Sequence, residues 1–302
     1  MEPKQYYIGI DVGGTSVKEG LFDEDGNLLA KASVPTPPIV DAAGFAAVTE
    51  AIDQVVAKAQ IPRAFVAGIG LAVPCPIPAS GDAKVKANIA INLPELKVAI
   101  QEHCPDAVVK YENDANAAAM GEAWLGSAKG VQNVVMVTIG TGVGAGVLSG
   151  GKLVHGMMHP EAGHILVTRD PRDTIGEHSG CPFHDNCLEG LIAGPGVKKR
   201  WGGKSAGEMA DDPEAMDLLA GYLAQALMTY ILCYAPQKIV IGGGVADHTP
   251  IVPLARKKCA EMLNGYIVTP EMADIDSYIV NNSLEGKQGI MGCLALGAQA
   301  LQ

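Results

Sequence analysis

The sequence predicts an α/β protein made of two similar halves, as two lobes facing a cleft. Three observations carry this expectation. An apolar strand ending in glycine and threonine occurs twice, at Tyr6–Val12 before Gly13-Gly14-Thr15 and at Val134–Ile139 before Gly140-Thr141-Gly142. Each is followed by strand, turn and strand, so Ile10–Leu28 and Thr138–Leu153 share one plan. A further apolar strand, Lys238–Ile241, runs into Gly242-Gly243-Gly244. None of the three glycine clusters has Walker A spacing or the dinucleotide G-x-G-x-x-G after a first strand, which disfavours a Rossmann dehydrogenase.

In order, Tyr6–Val12, Ser16–Phe22 and Leu28–Val34 read as a strand meander with a polar turn at Asp23–Asn27. After Pro35-Thr36-Pro37-Pro38, Asp41 caps a helix to about Ala59 that carries Phe45, Val48, Ile52, Val55 and Val56 on one face. Phe65–Leu71 is a short strand leading to the rigid loop Val73–Pro78. Pro94–His103 is a helix, Val108–Glu112 a strand ending at Asn113-Asp114, and Ala115–Leu125 a helix by composition. The second half repeats the meander with Gly144–Ser149, Gly150-Gly151 and Leu153–His155. Helices follow at Met209–Ala235, Pro250–Asn264 and Ile290–Leu301. The lobes are expected to join near Gly121–Val131. The expected division is 1–120, with a C-terminal helix of 290–302 packing back on it, and 121–289, with an insertion at 159–195.

The 302 residues are 48% hydrophobic, enough for two packed lobes. A net charge of −11 argues against a basic nucleic-acid-binding face. No run is expected to span a bilayer, since Val134–Leu148 is interrupted by four glycines. The start of the sequence has no basic region before an apolar stretch, so no signal peptide is expected. Seven cysteines, with Cys75, Cys104, Cys233 and Cys259 far apart, suit free thiols in a reducing cytoplasm rather than a disulfide framework.

The richest chemistry lies in His159–Pro195. Cys181, His184 and Cys187 stand in C-P-F-H-D-N-C, a thiolate and imidazole spacing that suits tetrahedral Zn²⁺. His164 is the best candidate for a fourth ligand. The alternative is two buried cysteines and a surface histidine. Glu161 and Glu189 flank these positions and could bind a polar ligand. The glycine turns have two readings as well. They are either ordinary hairpin turns, or places where backbone N–H groups and a threonine hydroxyl approach phosphate. On the second reading Asp11 holds Mg²⁺ directly or through water, and Lys18 offsets phosphate charge. Asp114, between a strand and a helix, is either a general base for a substrate hydroxyl or a helix N-cap. Asn113 and Asn116 beside it could hold substrate hydroxyls.

These residues resemble the ROK family of sugar kinases and related repressors nearly end to end. The resemblance rests on I-G-I-D-V-G-G-T at 8–15, E-N-D-A-N-A-A-A at 112–119 and I-G-T-G-V-G-A-G-V at 139–147. It continues in P-E-A-G-H at 160–164, C-L-E-G at 187–190 and I-V-I-G-G-G-V at 239–245. It implies a two-lobed actin-like (ribonuclease H-like) ATPase fold of the sugar kinase and hexokinase type. It implies Asp114 as catalytic base, with Asn113, Glu161, His164 and Glu189 on the sugar. It implies ATP held by the glycine turns: Gly13, Gly14, Thr15, Gly140, Thr141, Gly142 and the later Gly243 and Gly244. The zinc module C-P-F-H-D-N-C-L-E-G and G-P-G-V-K-K-R-W-G look like the fructokinase branch. There are departures. Cys75 stands in the sugar-side loop where glycine is usual, Asp11-Val12 replaces Glu-Ala, and Ala145 replaces a common third glycine.

The expected activity is ATP- and Mg²⁺-dependent phosphorylation of a hexose hydroxyl, the 6-hydroxyl first, with fructose ahead of glucose. Zn²⁺ would be structural. A cytoplasmic homodimer without nucleic-acid or membrane partners is expected. The rivals are a sugar-binding regulator with little kinase activity, kept open by Cys75, and a filament-forming actin-like protein, which has no need of the zinc stretch.

Overall fold

The computed structural model describes residues 5–78, 90–284 and 287–299. The ends expected for the last helix at 300–302 lie outside them. The chain divides into two compact units. Unit 1 comprises residues 1–125, 155–159 and 284–302, and unit 2 comprises 126–154 and 160–283.

Unit 1 begins with β1 (Tyr6–Val12), β2 (Ser16–Phe22) and β3 (Leu28–Pro35). Then come α1 (Ala42–Ala59), β4 (Val66–Val73), α2 (Leu93–His103), β5 (Val108–Asn113) and α3 (Asp114–Leu125). Its sheet runs β3-β2-β1-β4-β5. The first three strands pair antiparallel, and β1, β4 and β5 are parallel. Asp41 caps α1, its carboxylate accepting the Ala43 and Gly44 N–H groups at 3.1 Å each. The predicted apolar face of α1 turns inward. Val48, Ile52 and Val55 are fully buried against Ile8, Ile10, Ile69 and Leu71, with Phe45 and Val56 packed on the edge.

Unit 2 repeats this plan. It contains β6 (Val134–Ile139), β7 (Val143–Ser149) and β8 (Lys152–Leu153), then α4 (Leu188–Ile192), α5 (Gly194–Arg200) and α6 (Pro213–Tyr234). β9 (Lys238–Gly242), α7 (Gly244–Asp247), α8 (Ile251–Leu263), α9 (Pro270–Ala273), α10 (Ile275–Tyr278) and β10 (Ile279–Asn281) follow. Its sheet runs β10-β9-β6-β7-β8, again an antiparallel meander continued by parallel strands. The chain ends in α11 (Gln288–Gln299), which packs on α3, β4 and β1 of unit 1.

Three differences from the sequence reading have physical causes. The third strand of the second meander is only Lys152–Leu153, because residues 155–159 are held in unit 1. β10 is three residues long, too short for a period to be read. Finally, α6 does pass the length and composition test for a membrane span, against the expectation that no run would. It is a core helix: Leu219, Leu223, Leu227 and Tyr230 are buried in the main apolar cluster of unit 2. Each such side chain contributes about 1.5–3 kcal/mol by leaving water.

Two buried charges are handled in opposite ways. In unit 2, Arg200 and Asp173 form a bidentate pair at 2.7 and 2.8 Å with side chains 1% exposed. Arg200 also donates to the Leu191 carbonyl, and Tyr222 OH donates to Asp173. In unit 1, Glu19 on β2 is fully buried, and among the described residues neither carboxylate oxygen has a hydrogen-bond partner. Burial, then the charge of Asp53, pushes Glu19 well above its ordinary 4.5. A raised acid favours folding fully below the unfolded value and loses that contribution as pH rises toward the folded value. Glu19→Gln should therefore melt at a higher temperature than wild type at pH 7.5, and the gap should close as pH falls toward about 4.5. Paired thermal melts across this range check it; a gap independent of pH would rule it out.

Candidate active site and metal centre

In unit 1 the site residues gather at the carboxyl ends of the parallel strands, the usual ligand edge of such sheets. Asp11, Ala72 and Glu112 stand in one cross-strand row of β1, β4 and β5, and Val73 and Asn113 form the next row across β4 and β5. Asp11 also faces Lys18 directly across the β1–β2 hairpin. Burial raises the Asp11 pKa, and Lys18 opposes that shift. The hairpin turn is closed by the Gly13 N–H donating to the Ser16 carbonyl at 3.0 Å and is strapped by Thr36 Oγ1, which donates to the Gly13 carbonyl at 2.6 Å. Gly14 and Thr15 are exposed, and a Cβ on Gly14 would meet no protein atom within 4 Å.

Asn113 and Asp114 divide the roles that the sequence left open. Asn113 is the residue ahead of α3, and its Oδ1 accepts the Ala115 and Asn116 N–H groups at 3.0 and 3.4 Å. The cap is thus Asn113. Asp114 is the first helical residue, half-buried, with Oδ1 accepting the Ala115 N–H at 2.8 Å. Asn113 Nδ2 donates to the Cys75 carbonyl at 3.4 Å. The Cys75 side chain is buried within the apolar cluster of unit 1, so the thiol is accommodated by the core. Asn116 is fully buried, and its Nδ2 donates to Glu112 rather than standing at a surface.

In unit 2 the parallel strands β6 and β9 place the two later glycine clusters side by side, with Thr138 opposite Gly242. Gly243 has φ +95°, and a Cβ there would lie 2.6 Å from the Ile139 carbonyl, so glycine is required. Gly244 opens α7. The Gly140 carbonyl accepts the Gly194 N–H at 2.8 Å, bringing the start of α5 to the same turn. Thr141 is exposed.

The segment at 159–195 folds around one cluster. The Val167 N–H donates to Asn186 O and the Leu188 N–H to Ile165 O, both at 3.0 Å, drawing His164 to Cys187. Tyr230 OH on α6 donates to the Ala162 carbonyl at 2.8 Å and anchors the turn between Glu161 and His164. Glu161, half-buried, immediately precedes that turn. The ligating atoms of His164, Cys181, His184 and Cys187 all lie within 4.8 Å of one another. His164 Nδ1 is 3.7 Å from both Cys sulfurs, and His184 Nδ1 is 3.7 Å from Cys181 Sγ. A tetrahedral metal with bonds of about 2.0 Å to nitrogen and 2.3 Å to sulfur has N···S edges of roughly 3.5 Å. The donor set therefore fits a metal ion. Burial pushes the Cys187 thiol up to about 12, so a thiolate at this depth requires a cation beside it. Among the described residues, which include all seven cysteines, no disulfide forms.

With Nδ1 turned to the thiols, His164 points Nε2 at Glu189 Oε1, 3.9 Å away. Glu189 Oε2 accepts the Val143 N–H at 3.0 Å and would lie 2.7 Å from a Cβ on Gly142. Glu189 thus joins the metal cluster to the 140–142 turn, a link that spacing in the sequence does not show. A side chain at position 142 would have to push this carboxylate aside. On the kinase activity that the resemblance implies, Gly142→Ala should displace Glu189 and raise the KM for sugar as well as for ATP, whereas a turn serving phosphate alone would raise the ATP value only. Steady-state kinetics with each substrate varied separates the two.

Sequence reasoning missed Glu112 and His155, which pair at 2.9 Å in unit 1. Glu112 opens the E-N-D-A-N-A-A-A stretch at 112–119, but the sequence gives it no role of its own. His155 lies outside every motif used.

Two duplicated α/β sheets, each with its glycine turn at the parallel-strand edge, define the actin-like ATPase fold. The chain belongs to the ROK family, whose model matches residues 7–300. It is similar to the fructokinase of Pediococcus pentosaceus, 43% identical over 192 residues, covering 64% of this chain and 65% of that protein. The chain spans under two thirds of the length of that and similar curated relatives, 64% to 65%. Among solved structures, a ROK hexokinase from Thermus thermophilus superposes with TM-score 0.80 at 26% identity, covering 98% of this chain and 99% of that one. A ROK family glucokinase from Streptomyces griseus, in complex with glucose and AMPPNP, gives TM-score 0.74 at 27% identity, covering 97% and 99%.

Proposed function

We propose that the protein is an ATP-dependent hexose kinase that transfers the γ-phosphoryl group to a sugar hydroxyl, the 6-hydroxyl first, with fructose ahead of glucose. The observation that carries this is Asp114, half-buried at the head of α3, with Asn113 relieving it of the capping role. As the sugar oxygen bonds to phosphorus, Asp114 accepts its proton and the β–γ bridging bond breaks to leave ADP. Asn113, Glu161, His164 Nε2 and Glu189 would hold sugar hydroxyls. Gly13, Gly14, Thr15, Gly140, Thr141, Gly142, Gly243 and Gly244 would approach ATP with their backbones, and Lys18 would add positive charge. Mg²⁺, when bound near Asp11, would offset phosphate charge. Zn²⁺ would be held by His164, Cys181, His184 and Cys187 as a structural ion, since four protein ligands complete a tetrahedron.

The fructokinase relative and the glucokinase with its bound glucose and AMPPNP support the substrate class. The Cys75 side chain packs within the apolar cluster of unit 1, which agrees with the kinase reading over that of a regulator without kinase activity. A cytoplasmic homodimer without membrane partners is part of the proposal as the family resemblance implies it, and the net charge of −11 disfavours a basic nucleic-acid-binding face. A coupled ADP-release assay over a panel of hexoses and amino sugars tests the activity. Turnover with fructose or glucose is expected, and release of ADP with no sugar on the panel would sink the reading.

A further inference from the structure

The polar cluster beside Asp114 that the mechanism above leaves unused is centred on Glu112. Its side chain is 10% exposed. Oε1 accepts the Asn113 backbone N–H at 2.8 Å and an Asn116 Nδ2 hydrogen at 3.1 Å. Oε2 lies 2.9 Å from His155 Nε2. A carboxylate only accepts, so this contact is favourable when His155 Nε2 bears a proton.

The three donors come from three places: the end of β5, the first turn of α3, and residues 155–159 after β8. That last segment is set apart by its path. It belongs to unit 1, while the residues on both sides of it belong to unit 2. Glu112 therefore gathers the Asn113 N–H and the Asn116 amide on one oxygen while His155 restrains the other. Those two asparagines also fix the start of α3, because Asn113 Oδ1 accepts the Ala115 and Asn116 N–H groups. Asp114 stands on that same turn and bonds the same Ala115 N–H. A base displaced by about 1 Å can cost as much as 10²-fold in rate, so a device that fixes this turn bears on turnover.

We propose that Glu112 and His155 are a positioning pair: His155 holds the Glu112 carboxylate, and Glu112 sets the helical turn that carries Asn113 and Asp114. Neither acts on substrate directly. The kinetic part rests on the kinase reading above; the structural part does not. His155 is 43% exposed, so its replacement leaves the core of unit 1 intact.

The test compares wild type, His155→Phe, which removes the donor, and His155→Gln, whose amide can donate from nearly the same place. Thermal melts confirm folding. Amide hydrogen exchange is read at residues 113–116, and steady-state kinetics with the best hexose of the panel. His155→Phe should exchange faster at 113–116 and lower kcat about 10-fold, with the ATP KM within about twofold of wild type. His155→Gln should recover most of both effects. Unchanged exchange in folded His155→Phe overturns the pair, whether or not the protein turns over a sugar. So does a Gln variant as impaired as Phe, because loss of the donor would then not be the cause. A wild type inactive on every hexose overturns the kinase reading alone, and exchange still decides the pair.

Discussion

Asp114→Ala is expected to lower turnover by about 10²–10⁴ while the protein stays folded, the usual worth of a general base in proton transfer. The structure sharpens this expectation by moving the cap to Asn113. After the substitution the Ala115 N–H keeps its bond to Asn113 Oδ1 at 3.0 Å, so the helix start loses one acceptor of two. The stability cost should then stay below about 1 kcal/mol, the typical loss for a full cap. Asn113→Ala provides the contrast, since it removes the cap itself and the tie to the Cys75 carbonyl. Turnover numbers paired with melting temperatures decide the matter. A folded Asp114→Ala protein of near-normal turnover would show that the carboxylate is not the base.

The second large effect concerns the metal. Cys187→Ser should lose about one equivalent of zinc and weaken sugar binding, with ATP binding less affected. The physical route is visible in the geometry. Removing a thiolate from the cluster frees His164, whose Nε2 lies 3.9 Å from Glu189 Oε1. Glu189 would also lose orientation relative to the Val143 N–H that it accepts. Chelation should act in the same direction and lower the melting temperature, because much of a structural zinc's binding energy goes into ordering its loop. Elemental analysis of active, carefully prepared protein gives the most direct check. Less than about half an equivalent of zinc would discard the four-ligand proposal.

Much of this was legible in the chain. The two glycine–threonine turns announced the duplication, because a strand that must stop and reverse in three residues leaves a strong local signature. The cap at Asp41 and the apolar face of α1 were equally local, a side-chain acceptor followed by residues at helical spacing. The Cys181, His184 and Cys187 spacing suggested a metal, and His164 joined it through a loop closed by backbone pairing at Val167 and Leu188.

What the sequence by itself determined is therefore the set of elements and the chemical candidates: the repeated meander, the ligand types, and the acid at the start of α3. Tertiary structure alone decided how those candidates share their work. It assigned the cap to Asn113 rather than Asp114, and it placed Glu189 against both Gly142 and His164. It placed α6, whose length and composition would also suit a membrane span, in the core of unit 2, and it left Glu19 fully buried. It also brought His155 to Glu112 across 43 positions of sequence. The physical reason is common to all of these. Helical and strand periods follow from neighbours along the chain, whereas burial and hydrogen-bond partnership depend on which distant surfaces pack together.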